Sequence, residues 1–365
     1  MILQEIVFII IAKLIIAQGT LRPVPGLDRQ DSNLEFTPEM NSKDSLLNYC
    51  YDINEHGNVG RHGIRREYVD WDLSRNSTKN TVRVLQWNIL SQALGQNMDN
   101  FCRCPLEALE WNNRRCSLLE EMLTHEPDVM CLQEVDHFDF FNRALATQSY
   151  TGIFQPKPRS PAIAMPDNNG PDGCAIFYNN NKYEFHEKFE YDFYHLSTEE
   201  CPSRQVALLV VLIDKVSGNR FCVATAHLKS QKGEKEACLR NNQGKDLLSF
   251  VSEHAKNCPT IITGDFNAEP YEPVYETMCS YPEFKLNSAY NEPGGEPDFT
   301  SWKIRQREGE CKETLDYIFY TPEYLTIRSI LAMPKEENVH EDRTPSFVYP
   351  SDHFSLIADF FFNEN

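Results

Sequence analysis

The sequence predicts an α/β fold of two packed, mainly antiparallel sheets that are flanked by helices. Short β-rich runs recur along the later part of the chain, outnumber the helical segments and are separated by long loops. Many strands with few helices are typical of sheets packed face to face with helices outside them. Polar side chains also recur where these runs end, which predicts an active site built from several strand ends.

The composition disfavours several classes of protein. The chain has 365 residues, and about 280 residues suffice for one large two-sheet enzyme. Its 35 basic and 54 acidic residues give a net charge of −19, which disfavours a general nucleic-acid binder. Among the twelve cysteines there is no C-x-x-C pair, and only Cys102 and Cys104 lie close together. We therefore expect reduced thiols rather than a zinc site or a disulfide scaffold.

The first 80 residues are predicted to precede the catalytic domain, which we place at residues 81–365. An apolar run from Ile6 to Ala17, interrupted by Lys13, is too short for a membrane span. The sequon at Asn76 favours secretion, whereas cysteines without a disulfide pattern argue against it. We expect a cytoplasmic location, a mitochondrial location, or both, in preference to secretion.

From Thr20 to about Asn80 the chain is polar, acidic and broken by prolines. We interpret this segment as a mostly disordered lead. Because the lead carries no motif of the catalytic domain, a chain that starts near Thr78 is expected to keep full activity. The lead has no repeat, so the sequence predicts no leucine-rich docking module, and we expect a monomer.

The predicted domain begins with a strand, a helix and a second strand. The run from Thr81 to Leu90 is β-rich and carries Asn88 near its end. Apolar residues recur at near-helical spacing from Pro105 to Thr124, which predicts a surface helix. The continuously apolar run from Asp128 to Val135 then places Glu134 at the end of the next strand.

Further elements repeat this plan. A helix is predicted from Glu234 to Ala255. Strands are predicted over Gly173–Asn179, Gln205–Asp214, Arg220–Leu228, Thr260–Asn267, Leu315–Tyr320 and Ser355–Phe361.

The run from Ile261 to Pro270 is predicted to form the edge of the active site. Gly264 would allow a close approach of the backbone. Asp265 and Asn267 are two residues apart, so an extended backbone would place both side chains on one side. Asp265 could then orient a water molecule while Asn267 donates to a phosphate oxygen. Taken alone, the same residues are equally typical of an ordinary turn.

The other polar strand ends favour the catalytic interpretation. Glu134 and Asn88 are oxygen ligands of the kind that Mg²⁺ takes, and Asp352 is placed on the metal side. His353 can donate to a phosphate oxygen, and a carboxylate would fix its tautomer and favour the imidazolium. We choose Asp316 as that carboxylate. Each residue alone could be a turn residue or a buried structural side chain, but together they indicate an active site.

Several motifs resemble the endonuclease/exonuclease/phosphatase superfamily, in its carbon-catabolite-repression deadenylase branch. They occur in this order: Gln86-Trp87-Asn88-Ile89-Leu90, Cys131-Leu132-Gln133-Glu134-Val135, Ala226-His227-Leu228-Lys229, Gly264-Asp265-Phe266-Asn267-Ala268-Glu269-Pro270, Thr314-Leu315-Asp316-Tyr317-Ile318 and Pro350-Ser351-Asp352-His353. The resemblance runs from about Val82 to Phe361. It implies a four-layered α/β sandwich, which is a DNase I-like fold, and magnesium-dependent hydrolysis of a phosphate ester.

Intermediate motifs, such as Ser301-Trp302-Lys303-Ile304-Arg305, narrow the expected substrate. The resemblance implies removal of the 2′-phosphate from NADP⁺ and NADPH, which gives NAD⁺ and NADH. Asp265 would then activate the attacking water. Asn267, His227 and His353 would hold the phosphate oxygens.

The resemblance also implies that Lys157, Lys229 and Arg305 hold the phosphates of the dinucleotide, although such residues could otherwise be solvated surface charges. The family usually has another basic residue where Gln231 stands, and Lys232 could replace it. Two alternatives stay open. One is a poly(A)-specific 3′-exoribonuclease, although the acidic chain shows no long basic and aromatic track for RNA. The other is a catalytically silent protein that binds messenger-ribonucleoprotein partners.

Overall fold

The structure is a computed structural model that describes residues 34–52, 63–71, 80–196, 204–255, 257–291 and 295–363. The N-terminal apolar run and the sequon at Asn76 lie outside these ranges. Among the described residues, no helix combines the length and the apolar character needed to cross a membrane. The α-helices are α1 Lys43–Asp52, α2 Gln92–Asn97, α3 Trp111–Thr124, α4 Phe138–Ala146, α5 Glu234–Ala255 and α6 Pro273–Cys279.

The strands form two mixed sheets and a hairpin. Their bounds are β1 Tyr68–Asp70, β2 Thr81–Asn88, β3 Val129–Val135, β4 Tyr150–Pro156, β5 Gly173–Asn179, β6 Tyr183–Asp192, β7 Val206–Asp214, β8 Arg220–His227, β9 Thr260–Asp265, β10 Asn287–Ser288, β11 Ser301–Arg305, β12 Gly309–Glu313, β13 Asp316–Tyr320, β14 Leu325–Leu331 and β15 Leu356–Phe362. One sheet has the order β1-β14-β15-β2-β3-β5-β4, the other has the order β10-β13-β9-β8-β7-β6, and β11 pairs with β12.

Most neighbouring strands are antiparallel, with two exceptions that matter for the site. Strand β2 is parallel to β3 in the first sheet, and β8 is parallel to β9 in the second. The carboxyl ends of each parallel pair therefore lie at the same edge of their sheet. Contacts of β2 with β9 and of β3 with β8 bring these two edges together.

Apolar side chains fill the space between the sheets. Val84 and Ile176 of the first sheet are fully buried with Leu208, Val223 and Ile318 of the second. A second cluster lies between the second sheet and the helices α5 and α6, and the helix α4 contacts β4 of the first sheet. Two mixed sheets flanked by helices confirm the fold that the sequence predicted.

The bounds of several elements agree with the sequence prediction. The helix Glu234–Ala255 and the strand Gly173–Asn179 have the predicted limits. The single helix expected from Pro105 to Thr124 was wrong: a 3₁₀ turn over Leu106–Leu109 precedes α3, which starts at Trp111. Most of α3 is also buried, so it is not a surface helix.

Part of the N-terminal lead is ordered, contrary to the prediction. The helix α1 buries Leu46, Leu47, Cys50 and Tyr51, and it contacts α3. The strand β1 extends the first sheet by pairing with β14. The prediction failed because these elements are short and are stabilised by distant parts of the chain rather than by their own periodicity.

The cysteines agree with the expected reduced state. Every cysteine within the described ranges is a free thiol, including Cys102 and Cys104. Five of these side chains are buried, for example Cys131 and Cys222, which lie in contacting strands of different sheets. They therefore act as small apolar core residues rather than as a framework of cross-links.

Candidate active site

Parallel strand pairs deliver polar residues to one edge of the two sheets. Asn88 ends β2 and is buried, and Glu134 lies near the end of β3. His227 and Asp265 are the last residues of β8 and β9, and they are paired across the two strands. Asp316 is the first residue of β13 and is paired with Asp265 in the antiparallel register.

Asp265 and Asn267 converge for a reason other than the one predicted. The strand β9 ends at Asp265, and Asn267 has a positive φ of 49°, so the backbone is not extended through both residues. The Asn267 N–H donates to Asp265 Oδ1 at 2.9 Å, which closes a tight turn. A side chain at Gly264 would collide with the carbonyl oxygen of Ala226, so the expected close approach of the backbone is present.

His353 and Asp316 form a buried pair. The distance from His353 Nδ1 to Asp316 Oδ2 is 2.8 Å, and the Thr300 hydroxyl donates to the same carboxylate oxygen at 2.7 Å. Burial opposes the charged form of His353, but the carboxylates of Asp316, Asp265 and Asp352 outweigh it and raise its pKa to about 9. The ring is therefore an imidazolium at neutral pH, with Nε2 as its second donor.

Asp265 lies at the centre of the cluster. Its Oδ2 accepts a hydrogen bond from Asn88 Nδ2 at 2.9 Å. The Nε2 atoms of His227 and His353 lie 3.7 Å and 3.8 Å from the same oxygen, which is too long for hydrogen bonds. Burial raises the pKa of Asp265 to about 6, against the opposing effect of the His353 charge. A carboxyl group with this pKa can accept a proton near neutral pH.

Glu134 lies beside Asn88 and is held in an unusual backbone conformation. Its φ is +58°, at a point where the pairing of β3 with β5 shifts register. Its two carboxylate oxygens accept from Asn88 Nδ2 and from the Ser91 N–H, each at 3.0 Å. Among the described residues Glu134 has no cationic partner within ion-pair distance. This uncompensated oxygen ligand is suited to a divalent cation.

Asp352, which was expected on the metal side, contacts two basic side chains. Its Oδ2 is 2.5 Å from Lys303 Nζ and 3.6 Å from an Arg305 guanidinium nitrogen. Burial opposes ionisation of Asp352, but Lys303, His353 and Arg305 hold its pKa below the ordinary value. Two cations already compensate this carboxylate, and a place for Asp352 on the metal side stays a prediction.

A second group of atoms that could ligate a metal lies close to Asp265. One atom each from Asp265, Asp316 and His353 lies within 4.8 Å of the others. The charge on His353 argues against a cation there, because two positive charges would be forced together in a buried space. Of the described side chains, Glu134 suits a divalent cation better; Asn88 turns its amide nitrogen toward Glu134, and its oxygen accepts from the Leu90 N–H at 3.0 Å.

Lys157 is buried against the second histidine. Its Nζ is 2.6 Å from Asp172 Oδ2 and 3.3 Å from His227 Nδ1. Lysine has only donor hydrogens, and the Asn267 amide nitrogen is also a donor, so a neutral His227 can accept a hydrogen bond from only one of them, at Nδ1 or at Nε2. Burial, reinforced by the Lys157 charge, lowers the pKa of His227 well below its ordinary value. The Nε2 atom is 3.0 Å from Asn267 Nδ2.

Strand β11 adds two cations, of which only one was predicted. Arg305 contacts Asp99 Oδ1 at 2.9 Å, and no described residue accepts a hydrogen bond from its Nε. Lys303 is buried, with Nζ 3.5 Å from His353 Nε2. The sequence contained a signal for Lys303, since residues two apart on a strand share a face.

The loop that contains Lys229 is held in place by a buried arginine. Arg240 of α5 is 2% exposed, is ion-paired with Glu272, and donates to the backbone carbonyls of Lys229 and Gln231 at 3.1 Å and 2.8 Å. Lys232 is paired with Glu313 at the surface. The expected substitution of Lys232 for a basic residue at position 231 would therefore require breaking an ion pair.

A buried polar layer beneath the site was not predicted. The amide groups of Gln86 and Gln133 bond to each other, and Gln133 Nε2 also donates to Thr225 of the other sheet at 2.8 Å. Gln86 Nε2 approaches Asp316 Oδ1 at 3.4 Å. Gln86 and Gln133 belong to two of the motifs that resemble the family. A polar contact between two sheets, however, leaves no local sequence pattern.

Comparisons with known proteins agree with this architecture. The Endonuclease/Exonuclease/phosphatase family model matches residues 85–353. Nocturnin of Drosophila melanogaster is 48% identical over 301 residues, which is 76% of this chain and 46% of that protein. Human Nocturnin is 45% identical over 308 residues, which is 82% of this chain and 70% of that protein. The chain thus spans about half the length of the fly relative.

A solved structure of a relative has the same fold. The human Nocturnin catalytic domain, determined with a bound sulfate anion, matches with a TM-score of 0.66 and 40% sequence identity. The match covers 82% of this chain and 97% of that one. The two mixed sheets and their helices are therefore shared with this domain.

Proposed function

The chain belongs to the endonuclease/exonuclease/phosphatase family, and from that premise we propose that it is a Mg²⁺-dependent phosphatase that removes the 2′-phosphate from NADP⁺ and NADPH. The observation that carries the proposal is the buried group formed by Asp265 and the His353–Asp316 pair, with Lys157, Lys303 and Arg305 around it. Nocturnin relatives at 45–48% identity support a hydrolase of this family.

Asp265 is the general base of the proposed reaction. It would take a proton from water as the water oxygen forms a bond to phosphorus and the bond from phosphorus to the ribose 2′-oxygen breaks. The leaving oxygen takes up a proton, and the products are inorganic phosphate and the dinucleotide without its 2′-phosphate. A pKa of about 6 leaves much of Asp265 ionised at neutral pH yet still basic enough for this transfer.

The two histidines hold the phosphate in different ways. His353 is charged and presents Nε2–H, so it would stabilise the negative charge that develops on the phosphate oxygens. Asp316 keeps that ring oriented and charged. His227 is neutral, and its ring together with the Asn267 amide would supply uncharged polar groups to the same phosphate.

Glu134 and Asn88 are the residues proposed to hold Mg²⁺. Their oxygens are of the hard type that Mg²⁺ takes, and the ion usually keeps several waters and binds substrate phosphate. When bound, Mg²⁺ supplies positive charge beside the transferred phosphate. Asn88 also links Glu134 to Asp265, because its amide nitrogen donates to both carboxylates.

The basic residues favour a compact dinucleotide over a polynucleotide. Lys157, Lys303 and Arg305 are each paired with a carboxylate, so the site binds phosphate through directed donors rather than through an excess of positive charge. A nucleic-acid path would require a longer run of unpaired cations and stacking aromatic rings. The net charge of −19 opposes such a path.

The experiment measures inorganic phosphate released by the purified full chain with Mg²⁺ from NADP⁺ and NADPH, and shortening of a poly(A) oligonucleotide in parallel. Asp265→Asn, which keeps the shape of the side chain, is the matched inactive control. We expect phosphate release from both dinucleotides and an intact oligonucleotide. Shortening of poly(A) without phosphate release would establish the exoribonuclease instead. No turnover of any of these substrates would favour the silent binding protein.

A further inference from the structure

Arg114 of helix α3 is a buried cation that has no role in the reaction described above. Its side chain is 2% exposed, and it is one of the largest fully buried residues in the described chain. Burial lowers its pKa to about 10, although nearby carboxylates including Asp136 and Asp352 act in the opposite direction. Keeping a guanidinium in such a place costs free energy unless its hydrogen bonds are well satisfied.

The hydrogen bonds of Arg114 all go to two loops of the site. Its Nη2 donates to the carbonyl oxygens of Ile89 and Leu90 at 2.6 Å and 2.7 Å, and Nη1 donates to Gln92 Oε1 at 2.7 Å. Its Nε donates to the carbonyl oxygen of Pro350 at 2.8 Å. We call residues 89–92 the Asn88 loop, since they follow Asn88, and residues 350–353 the His353 loop.

A second contact joins the same two loops. The Ser351 hydroxyl donates to the carbonyl oxygen of Asn88 at 2.6 Å and accepts from the His353 N–H at 3.2 Å. Arg114 and Ser351 thus fasten the backbone on either side of the groups that the proposed reaction uses. The Asn88 loop also contains Leu90 at φ +60°, a conformation that must be held by its surroundings.

We propose that Arg114 is a positioning residue that sets the distance between the Asn88 loop and the His353 loop. The proposal rests on the proposed function for its effect on catalysis. Arg114 touches no reacting atom; it acts through the backbone of Ile89, Leu90 and Pro350. A planar guanidinium can serve these diverging acceptors at once, whereas the lysine ammonium is a compact group that cannot span them.

A purely structural role would have a different pattern of contacts. Arg83, for comparison, is bonded to both carboxylate oxygens of Asp359 and to the carbonyl oxygen of His125, at the opposite end of β2 from Asn88. That arginine joins the neighbouring strands β2 and β15 to the end of α3, away from the site. Every partner of Arg114, in contrast, lies within four residues of Asn88 or within three residues of His353.

The test compares Arg114→Lys with Arg83→Lys as the matched control, using amide hydrogen exchange and steady-state kinetics with NADPH. We expect faster exchange in both loops of Arg114→Lys. A misplacement of about 1 Å can cost on the order of a hundredfold in rate, so we expect kcat to fall about 10- to 100-fold. KM should change less than about threefold. Arg83→Lys should leave exchange in both loops and kcat unchanged.

A double-mutant cycle with Ser351→Ala adds a second readout. If Arg114 and Ser351 hold the same two loops, the loss of kcat in the double variant will differ from the product of the single losses. Independent, multiplicative losses would contradict a shared positioning role. Gln92→Ala removes the Nη1 acceptor, together with the hydrogen bond from Gln92 Nε2 to the Leu109 carbonyl oxygen, and it replaces Arg114→Lys if that variant does not fold. Unchanged exchange in both loops of this milder variant would overturn the proposal.

The outcomes separate this proposal from the proposed function. Unchanged exchange and unchanged kcat in a folded Arg114→Lys protein would overturn the positioning role, as would a rise in KM alone. An unsubstituted protein that releases no phosphate from NADP(H) would refute the proposed function, yet the exchange comparison needs no substrate. Faster exchange in both loops would then still support the role of Arg114 in fixing their separation.

Discussion

A chain that begins at Thr78 is expected to be clearly less stable than one that begins at Gly63, because the difference includes Arg66. The Arg66 side chain is 1% exposed and contacts Glu121 Oε1 at 2.6 Å, and the Glu121 side chain is itself 10% exposed. Arg66 also donates to the Ser355 carbonyl oxygen at 2.6 Å and to the Ser355 hydroxyl. The polar lead therefore inserts a cation into the core.

The size of the expected stability loss follows from the charge of Glu121, which would stay buried without Arg66. Removing one partner of a buried ion pair costs about 3–5 kcal/mol, because the other charge stays buried without compensation. Glu121 would keep hydrogen bonds from the hydroxyls of Tyr349 and Ser355, but no cation replaces Arg66 among the described contacts. At about 2 °C per kcal/mol, which suits a large domain, the melting temperature should fall by roughly 6–10 °C.

The assay is thermal unfolding of the two shortened chains, together with Arg66→Met and Arg65→Met in the full chain. Arg65 precedes Arg66 and is exposed, so it is a matched control for loss of one positive charge. Arg65→Met should change the melting temperature by about 1 °C at most. Equal melting temperatures for the two shortened chains, or for the two substituted proteins, would refute the assignment of Arg66 to the core.

Three further predictions concern the site. Glu134→Gln should lower kcat at least about a thousandfold, or about 4 kcal/mol, with little change in melting temperature; strong Mg²⁺-dependent turnover would remove Glu134 from the metal site. Arg305→Ala should lower kcat/KM for NADPH about ten- to a hundredfold, because a charge-assisted contact of about 1.5–3 kcal/mol is lost. An aryl phosphate is the control substrate, and equal losses on both substrates would contradict a contact with the dinucleotide. When kcat/KM is measured against pH, it should fall above about pH 9, where His353 loses its proton. Asp316→Asn should shift that fall to lower pH, and an unchanged pH profile would contradict the pairing of Asp316 with His353.

The raised pKa of His353 also makes the stability of the folded protein depend on pH. Its pKa is raised in the folded protein from the ordinary value of 6.5 to about 9. The stabilisation is therefore complete below about pH 6.5 and is lost as the pH rises through about 9. Unfolding measured across this range should show a stability loss that is reduced in Asp316→Asn.

The strands and their polar ends could be predicted because burial leaves a local pattern. The apolar run from Asp128 to Val135 and the strand Gly173–Asn179 are buried on both faces, so their sequences are apolar almost without interruption. Strand β6 was missed for the converse reason. Its residues Tyr183–Asp192 lie at a sheet edge and are mostly exposed, so no apolar alternation marks them.

Arg114, Asp172 and the order within the lead could not be predicted from local pattern. Arg114 follows polar residues on a helix and resembles a solvated charge until the loops at Leu90 and Pro350 cover it. Asp172 becomes significant only because the fold brings Lys157 beside it. Buried charges are defined by long-range partners, and the spacing of a sequence carries little information about those partners.

The site combines strained backbone with the contacts that keep it in place. Leu90, Glu134 and Asn267 have φ values of +60°, +58° and +49°, and each such residue costs about 1–3 kcal/mol. Each also forms a specific contact: Leu90 with Arg114, Glu134 with the Ser91 N–H, and Asn267 with Asp265. Glu134 and Asn267 both connect to Asp265, Glu134 through the Asn88 amide and Asn267 through its own N–H. Loosening these contacts would let the backbone relax, so loss of catalysis should precede loss of the fold.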